Sequence, residues 1–361
     1  MSQATRRVTA TGWSRRRLLA AGAGLAGTLG LWRPSFAQEV SFFRIGTGPT
    51  AGTYFPVGGL IASAISNPPG SRACDRGGAC GVPGMIGVAV STEGSVSNVV
   101  EVASGALDSG LTQADVLYWA YSGSGLFETR GALPNLRAIA NLFPEAVHIV
   151  ARADLRIDSV ADLKGKRVSL DLDGSGTKAD AELVLAAFNL TPEEMEVMPV
   201  GVNAAIDLLR AGDLDAFFFV AGTPANAVSE LAEAALVKLV PIDGPEVDNL
   251  VTEAPFFSRI TIPSGTYFNI GETPTLAVGA QWAVSSEVPD DVVYGCCKAL
   301  WHINTRPLLE NGHPKAKLIQ LDTALDGLGA PLHPGAERYY KEVGLIEGGA
   351  QLAPEPAEEN Q

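Results

Sequence analysis

Basic charge is scarce in this chain of 361 residues: 26 Lys and Arg stand against 40 Asp and Glu, for a formal net charge of −14. Nucleic acid is therefore not an expected partner, because a phosphate-neutralising stripe has little to be built from. Charge of either sign is sparse at 18% of residues, while 46% are hydrophobic. That balance excludes intrinsic disorder, which needs low hydrophobicity. Histidine is rare too. His148, His302, His313 and His333 are scattered without ligand spacing, so no metal centre is expected from them.

Enzyme signatures are also missing. The chain holds no G-x-S-x-G, no H-E-x-x-H and no G-x-x-x-x-G-K-[ST]. Gly46-Thr-Gly48-Pro-Thr-Ala51 formally fits G-x-G-x-x-A, yet no Asp or Glu lies between Gly46 and Asp75 to hold a ribose, and Pro49 removes a backbone N–H. Asp171-x-Asp173-Gly174 begins like a calcium loop and lacks the remaining ligands. No catalytic residue, metal or cofactor is expected, and the length allows one or two domains, each with a real core.

What is present begins with an asymmetry. Residues 1–37 hold six arginines and no Lys, Asp or Glu, which leaves 20 of the 26 basic residues against all 40 acidic ones in the remainder. Ser14-Arg15-Arg16-Arg17 precedes an apolar run, Leu18 to Leu31, that four glycines interrupt, and Ser35-Phe36-Ala37 offers a small-x-small cleavage site. This pattern predicts an export signal cut before Gln38, of the twin-arginine kind with the ordinary secretory route as the alternative. The run is too short and Gly-rich for a stable span. No later stretch approaches one, since 281–303 contains Glu287, Asp290, Asp291 and Lys298. A soluble periplasmic protein is expected. In that oxidising compartment Cys74 and Cys80, six residues apart in a Gly-rich loop, are expected to form a disulfide. Cys296 and Cys297 read as buried small hydrophobes, with a vicinal disulfide as the alternative.

Short apolar runs alternate with helical patterns, the signature of α/β layers with largely parallel sheets. Strands are expected at 40–45, 86–90, 108–112, 136–142 continuing into 148–152, 168–172, 215–220 and, as a crossing strand, 275–284. Helices are expected near 56–65, from an opening at 91–97 to about 104, and near 114–121, 178–188, 202–211, 225–234, 290–304, 314–321 and 336–343. Sets of βα units occur before and after residue 145, which predicts two α/β lobes, with an acidic disordered tail over 351–361.

Polar clusters recur where a strand ends and a helix begins: Gly52-Thr53-Tyr54, Ser91-Thr92-Glu93-Gly94-Ser95, Thr112-Gln113 and Gly174-Ser175-Gly176-Thr177. Ser, Thr and Gly are common caps and turn residues. They also free N–H groups and hydroxyls at helix N-termini, where the dipole favours an anion. Four clusters at equivalent places point to a shared cleft, since open α/β sheets bind ligands outside the carboxyl ends of their strands.

These residues resemble a known family. Ile45-Gly-Thr-Gly-x-x-x-Gly52-Thr53-Tyr54-Phe-Pro56-Val-Gly58-Gly59, Ser91-Thr92-x-Gly94-Ser95-Val96-x-Asn98-Val99, Ala103-Ser104-Gly105-x-x-Asp108-x-Gly110 and Gln113-x-Asp115-Val116 are similar to the TAXI group of solute-binding proteins of TRAP (tripartite ATP-independent periplasmic) transporters. Asp162-Leu-Lys-Gly-Lys166 and Asp173-Gly-Ser-Gly-Thr177 extend the likeness over most of 40–345. The resemblance implies a type II periplasmic-binding-protein fold, with lobe 1 from 39–142 plus 276–350, lobe 2 from 143–275 and crossing strands between them. It implies a monomer that closes on a small carboxylate or amino-acid ligand, such as glutamate, glutamine or 2-oxoglutarate, and delivers it to TRAP membrane subunits. The residues it implies in the cleft are Thr53, Tyr54, Ser91, Thr92, Ser95, Asn98, Gln113, Ser175, Gly176 and Thr177. Phe55, Glu93 and Ala114 stand where Tyr, Gly and Ser are common in the family, so its usual ligand need not transfer. A periplasmic sensor for a membrane receptor is the alternative from another class, and a periplasmic enzyme a third that lacks a catalytic pair.

Overall fold

Runs rich in Val, Ile, Phe and Ala become strands of one mixed sheet, and the amphipathic stretches between them become helices. The structure, a computed structural model, describes residues 40–346. The expected export signal and acidic tail lie outside the described residues. In chain order the strands are β1 (Ser41–Gly46), β2 (Ser66–Asn67), β3 (Val82–Pro83), β4 (Met85–Val90), β5 (Ser109–Gln113) and β6 (Leu136–Arg152). They continue with β7 (Arg167–Ser169), β8 (Glu196–Val197), β9 (Ala216–Ala221), β10 (Val237–Leu239), β11 (Ser258–Ile262) and β12 (Thr273–Ser285). The helices are α1 (Tyr54–Ile65), α2 (Ser95–Ala103), α3 (Ala114–Ser122), α4 (Gly176–Ala187) and α5 (Val202–Ala211). After them come α6 (Asn226–Glu233), α7 (Pro245–Glu253), α8 (Asp290–Leu300), α9 (Arg306–Gly312) and α10 (Pro334–Glu342). No helix among the described residues is long and apolar enough to cross a membrane.

The sheet runs β4-β1-β5-β12-β6-β9-β7-β8, with β10 added to β6 and β11 to β12. On one flank β1 pairs in parallel with β4 and β5; on the other β7 pairs in parallel with β8 and β9. Between the flanks β6 and β12 run antiparallel to each other and to their outer neighbours β9 and β5. The expected parallel sheets are thus two flanks of one mixed sheet, and the two crossing strands supply its antiparallel part. Pro144 does not end β6 as a central proline would, because the strand crosses there from one flank to the other. Its partner register is irregular close by, between Ala280 and Gln281.

That geometry decides where the strands end. Gln113, the last residue of β5, lies opposite Ala280, and Ala221, the last of β9, lies opposite Ala146. Both parallel sets therefore deliver their carboxyl ends to the midpoint of the crossing pair, where Phe143 to Ala146 faces Ala277 to Ala280. The apolar packing divides accordingly. Two clusters draw their buried members from 43–143 and 280–346, and two others, Ala114 aside, from 146–278. Trp282 is fully buried beneath the first flank, and its indole N–H donates to Ser109 Oγ at 2.9 Å, so its area is removed from water without an orphaned donor.

Cys74 and Cys80 are joined in a disulfide, and Cys296 and Cys297 are free and buried. His302 Nε2 stands 3.6 Å from Cys74 Sγ, but with both sulfurs bonded to each other this group offers no thiolate. The reading of 314–321 as a helix fails: Lys315–Leu318 and Leu321–Thr323 are short 3-10 turns. Lys315 is buried there while Leu318 is exposed, the reverse of the face a helix would need. Helices α7 and α9 are short, Pro-initiated and were not anticipated.

Candidate functional site

Helix starts follow the strand ends at the midline, and each is shaped by local sequence. Thr53 precedes α1. Gly94 precedes α2 with φ of 128°, a value that favours glycine. Ser175 caps α4 by accepting from the Thr177 N–H at 3.0 Å. The first turn of each helix leaves N–H groups without intrahelical partners. Together these turns bound a small cavity whose wall is contributed by both flanks of the sheet.

Thr53, Tyr54, Ser95, Gln113, Ser175, Gly176 and Thr177 all line that cavity. Thr53 Oγ1 donates to the Gly222 carbonyl at 3.3 Å, and the Tyr54 hydroxyl donates to Glu145 Oε2 at 2.6 Å. Ser95 Oγ accepts from the Gln113 N–H at 3.2 Å, and Thr177 Oγ1 accepts from the Val220 N–H at 3.0 Å. Ser91, Thr92 and Asn98 are not in the wall. Ser91 donates to the Gly48 carbonyl, and Thr92 donates to Asn98 Oδ1 at 2.8 Å. Asn98, fully buried, donates to the carbonyls of Thr47 and Leu111 at 2.6 Å each. Those amide and hydroxyl groups are committed to holding the β1, β4 and β5 turns in place.

The two flanks touch across the cleft. The Ser97 N–H donates to the Gly174 carbonyl at 3.0 Å, and Gln113 Nε2 donates to Asp180 Oδ2 at 2.8 Å. Glycine is required by this approach. A Cβ on Gly174 would fall 2.2 Å from Glu93 Oε2, and one on Gly176 would fall 1.4 Å from Gln113 Oε1.

Carboxyl groups that were not expected in the cleft lie close by: Glu145 and Asp171 are in the cavity wall, and Asp115 and Asp180 lie outside it. Glu145, on the crossing strand, is 2% exposed. Burial pushes its pKa up to about 8, against the opposing pull of the Tyr54 hydrogen bond and the Lys315 charge. Asp171 is held at φ of 81° just beyond β7, which ends that strand short of the expected residue 172. Its Oδ2 accepts from Ser175 Oγ at 3.1 Å, and burial raises its pKa to about 6, with the nearby Glu93 charge acting in the same direction. Asp115 on α3 and Asp180 on α4 are both fully buried. Burial raises the pKa of both, and the Asp115 charge raises Asp180 further.

Among the described residues, three buried side-chain polar atoms have no hydrogen-bond partner: Gln113 Oε1, Asp115 Oδ2 and Asp180 Oδ1. Cations stay outside. Lys178, at the start of α4, directs its ammonium to Glu182 at 2.8 Å and Asp173 at 3.3 Å. Lys315 is buried beside Gly222, behind Glu145 rather than in the cavity wall. His148, also fully buried, places Nε2 2.9 Å from the Tyr267 hydroxyl and is kept neutral by burial, its pKa near 4. No histidine lines the cavity, and the hydroxyls of Tyr54 and Ser175 donate to the wall carboxyls of Glu145 and Asp171. The arrangement is suited to holding a small polar molecule.

One signal could have exposed Glu145 earlier. A single acid inside the apolar run Leu142 to Val150 is costly unless it is partnered, so its presence marks a polar site in the core.

The NMT1-like family matches residues 45–344 of the chain. Among solved structures, the chain is similar to the alkanesulfonate-binding protein SsuA from Xanthomonas axonopodis pv. citri, with 17% identity, 84% of each chain covered and a TM-score of 0.46. A binding component of a phosphonate ABC transporter from Pseudomonas aeruginosa is similar at 10% identity, covering 78% of this chain and 81% of that one, with a TM-score of 0.47. The aliphatic sulphonate binding protein from Escherichia coli is similar at 14% identity, with 83% of each chain covered and a TM-score of 0.42.

Proposed function

The chain belongs to the NMT1-like family, and from that premise we propose that it is a periplasmic solute-binding protein that captures a small carboxylated solute and delivers it to a transporter of the TRAP type. The observation that carries this reading is the small cavity walled by helix starts from both flanks of the sheet, with hydrogen bonds joining the two flanks beside it. Backbone N–H groups at the starts of α2 and α4, with the hydroxyls of Ser95 and Thr177, are the donors available to a carboxylate, while the Ser175 hydroxyl is held by Asp171. Thr53 and Tyr54 cover it from the first flank, and Gln113 orients it. Ser91, Thr92 and Asn98 act on the site by fixing the turns that carry those donors.

In this reading the two flanks are lobes that part and close about the crossing strands β6 and β12. Contacts such as Ser97 to Gly174 and Gln113 to Asp180 then exist only in the closed form, and a ligand that touches both lobes favours that form by its differential affinity. The membrane partner reads the closed shape. Titration of the purified protein with candidate acids, beside the Ser175→Ala/Thr177→Ala double variant, tests the assignment. The variant is expected to lose at least roughly tenfold in affinity, since a buried polar contact to a charged group is removed. Unchanged affinity would remove the second flank from the site.

A further inference from the structure

The disulfide between Cys74 and Cys80 lies outside the cavity wall, and its surroundings are not those of a simple staple. Its two cysteines are six residues apart, so the ring it closes constrains the unfolded chain less than a longer one would. Two side chains from the turn that follows α8 nevertheless converge on its sulfurs. His302 Nε2 stands 3.6 Å from Cys74 Sγ, and Asn304 Nδ2 stands 3.4 Å from Cys80 Sγ. Asn304 Nδ2 also lies 3.3 Å from the Cys74 carbonyl oxygen, which ties that turn to the loop. The imidazole is oriented by the same neighbour, because its Nδ1 accepts from the Asn304 main-chain N–H at 3.1 Å. With Nδ1 occupied as an acceptor, the ring proton of the neutral histidine sits on Nε2 and points at sulfur.

A disulfide sulfur is a weak acceptor and gains little from such donors, whereas a thiolate gains a charge-assisted hydrogen bond. The donors therefore favour the reduced pair over the oxidised one. Cys80 Sγ also lies 3.6 Å from the Gly78 carbonyl, an acceptor that only a protonated thiol can use. The reduced form thus has a place for a thiolate at Cys74 and for a thiol at Cys80. Both cysteines and His302 are half-buried, in contrast to Cys296 and Cys297, which no solvent reaches. We propose that Cys74–Cys80 is an exchange site for external thiols rather than a fixed structural bridge. An incoming thiolate attacks Cys80 Sγ, forms a mixed disulfide there and expels Cys74 as a thiolate held by the His302 N–H. A second external thiolate then attacks the sulfur that the first one brought, and Cys80 leaves. Two external thiols supply the two electrons and depart as one disulfide; of the two protons they give up, one goes to Cys80 and the other to solvent. This inference is independent of the solute and of the transporter.

The experiment equilibrates the folded, oxidised protein without denaturant against glutathione buffers of varied ratio and, separately, against dithiothreitol. Acid quenching, alkylation and peptide mass mapping then give the state of each cysteine. The expected result is reversible reduction of this pair in the native protein, with a transient glutathione adduct on Cys80, while Cys296 and Cys297 take no adduct. His302→Ala should lower the equilibrium constant for reduction about tenfold, which is about 30 mV for a two-electron couple. Asn304→Ala should lower it about threefold, since its donor is uncharged. His302→Gln, which can present an N–H, should recover part of the loss. Reduction by glutathione would make a small monothiol a sufficient partner, and reduction by dithiothreitol alone would make the partner a dithiol. A pair that stays oxidised in both, or is reduced only as fast as the protein unfolds, would overturn the proposal. So would equal constants in wild type and His302→Ala, or an adduct on Cys74 in place of Cys80. Zinc retained by the reduced wild type and lost in His302→Ala would overturn the donor role, because Nε2 would then be a ligand. The wild-type result does not depend on any variant folding, and melting temperatures of the variants separate lost structure from a changed equilibrium.

Discussion

Acidic side chains at the outer ends of the strands and those at the midline live under opposite conditions. At the outer end of the first flank, Arg44 holds Asp108 with Nε at 2.9 Å and Nη2 at 3.2 Å, while its own main-chain N–H donates at 2.7 Å. The second flank repeats the device: Arg167 reaches Asp215 with Nε at 3.2 Å and its main-chain N–H at 2.9 Å. Burial acts to raise the Asp215 pKa, but the hydrogen bonds and charge of Arg167 outweigh it and leave the group below its ordinary value. At the midline no guanidinium enters, and Glu145, Asp171 and Asp180 all move the other way. The chain uses arginine to satisfy acids where the fold needs anchoring and withholds it where the flanks meet. Acids left unpaired in that way are available to whatever enters between them.

The strongest way to break this contrast is to prevent the flanks from meeting. Gly176→Ala puts a Cβ into Gln113 Oε1, with Ser95 Oγ 2.9 Å away on the same side, so the buried amide has no free direction in which to retreat. Overpacking of that kind costs about 1–3 kcal/mol. Since the clash exists only when the flanks touch, it falls on the closed form, and ligand affinity should drop roughly tenfold to a hundredfold. Gly271→Ala is the control, because nothing lies within 4 Å of the added atom. Calorimetric affinities for the two variants, measured with the tightest wild-type ligand, should separate cleanly, and similar values would mean that closure does not bring Gly176 against Gln113.

The next effect is on pH dependence. The native protein holds the Glu145 proton to about pH 8, whereas an ordinary glutamate releases it near 4.5. Between those values the folded state binds more protons than the unfolded chain, so the contribution of Glu145 to stability falls as pH rises through that window. Below it both states are protonated and nothing is lost; above it the full cost, on the order of a few kcal/mol, is present. Asp171 adds the same sign over a narrower window, from its ordinary 3.8 to about 6. Melting temperature without ligand should therefore decline between pH 5 and 8 by less in Glu145→Gln than in wild type. A steeper decline in the variant would falsify the assignment. The outer pairs predict the opposite sign at low pH, since Asp215 loses its stabilising charge only as pH falls through its depressed pKa.

How much of this was legible in the sequence depends on how far apart the cooperating residues lie. Ser175 could be read because a cap is a local device that sits beside the helix it starts, whereas Thr53 flanks its helix without a side-chain cap bond. The strand at 136–152 could be read through Pro144 because its apolar character resumes on the far side. The Asp115–Asp180 pair could not. Asp180 in Thr177-Lys-Ala-Asp180-Ala-Glu182 looks like any polar position on a helix, and only the approach of α4 to the end of β5 buries it. Ser91, Thr92 and Asn98 show the converse. Their residue types suit a binding turn, and hydrogen bonds to residues 43 to 51 positions away, from Ser91 to Gly48 and from Asn98 to Thr47, turned them to scaffolding.

Two smaller tests sharpen the boundary between anchoring groups and receptive ones. Asp215→Asn removes the charge from a pair whose partner Arg167 is partly exposed, so solvent screening limits the loss to about 1–2 kcal/mol of stability. Ligand affinity should not move, because Asp215 sits at the opposite end of β9 from Ala221 and the cleft.

Ser91→Ala should do least of all. Ser91 is an exposed residue whose hydroxyl makes one bond, of 2.9 Å, to the Gly48 carbonyl. Stability should change by no more than about 0.5 kcal/mol, and affinity by less than about twofold. The informative comparison is with Ser95→Ala. Ser95 is 3% exposed, lies in the cavity wall and accepts from the Gln113 N–H at 3.2 Å, so its loss orphans a buried donor beside the ligand. If both alanines weaken binding equally, the cleft extends past Gly94 to the β4 turn. If only Ser95→Ala does, the receptive surface begins at the first turn of α2, where the contacts between the flanks also begin.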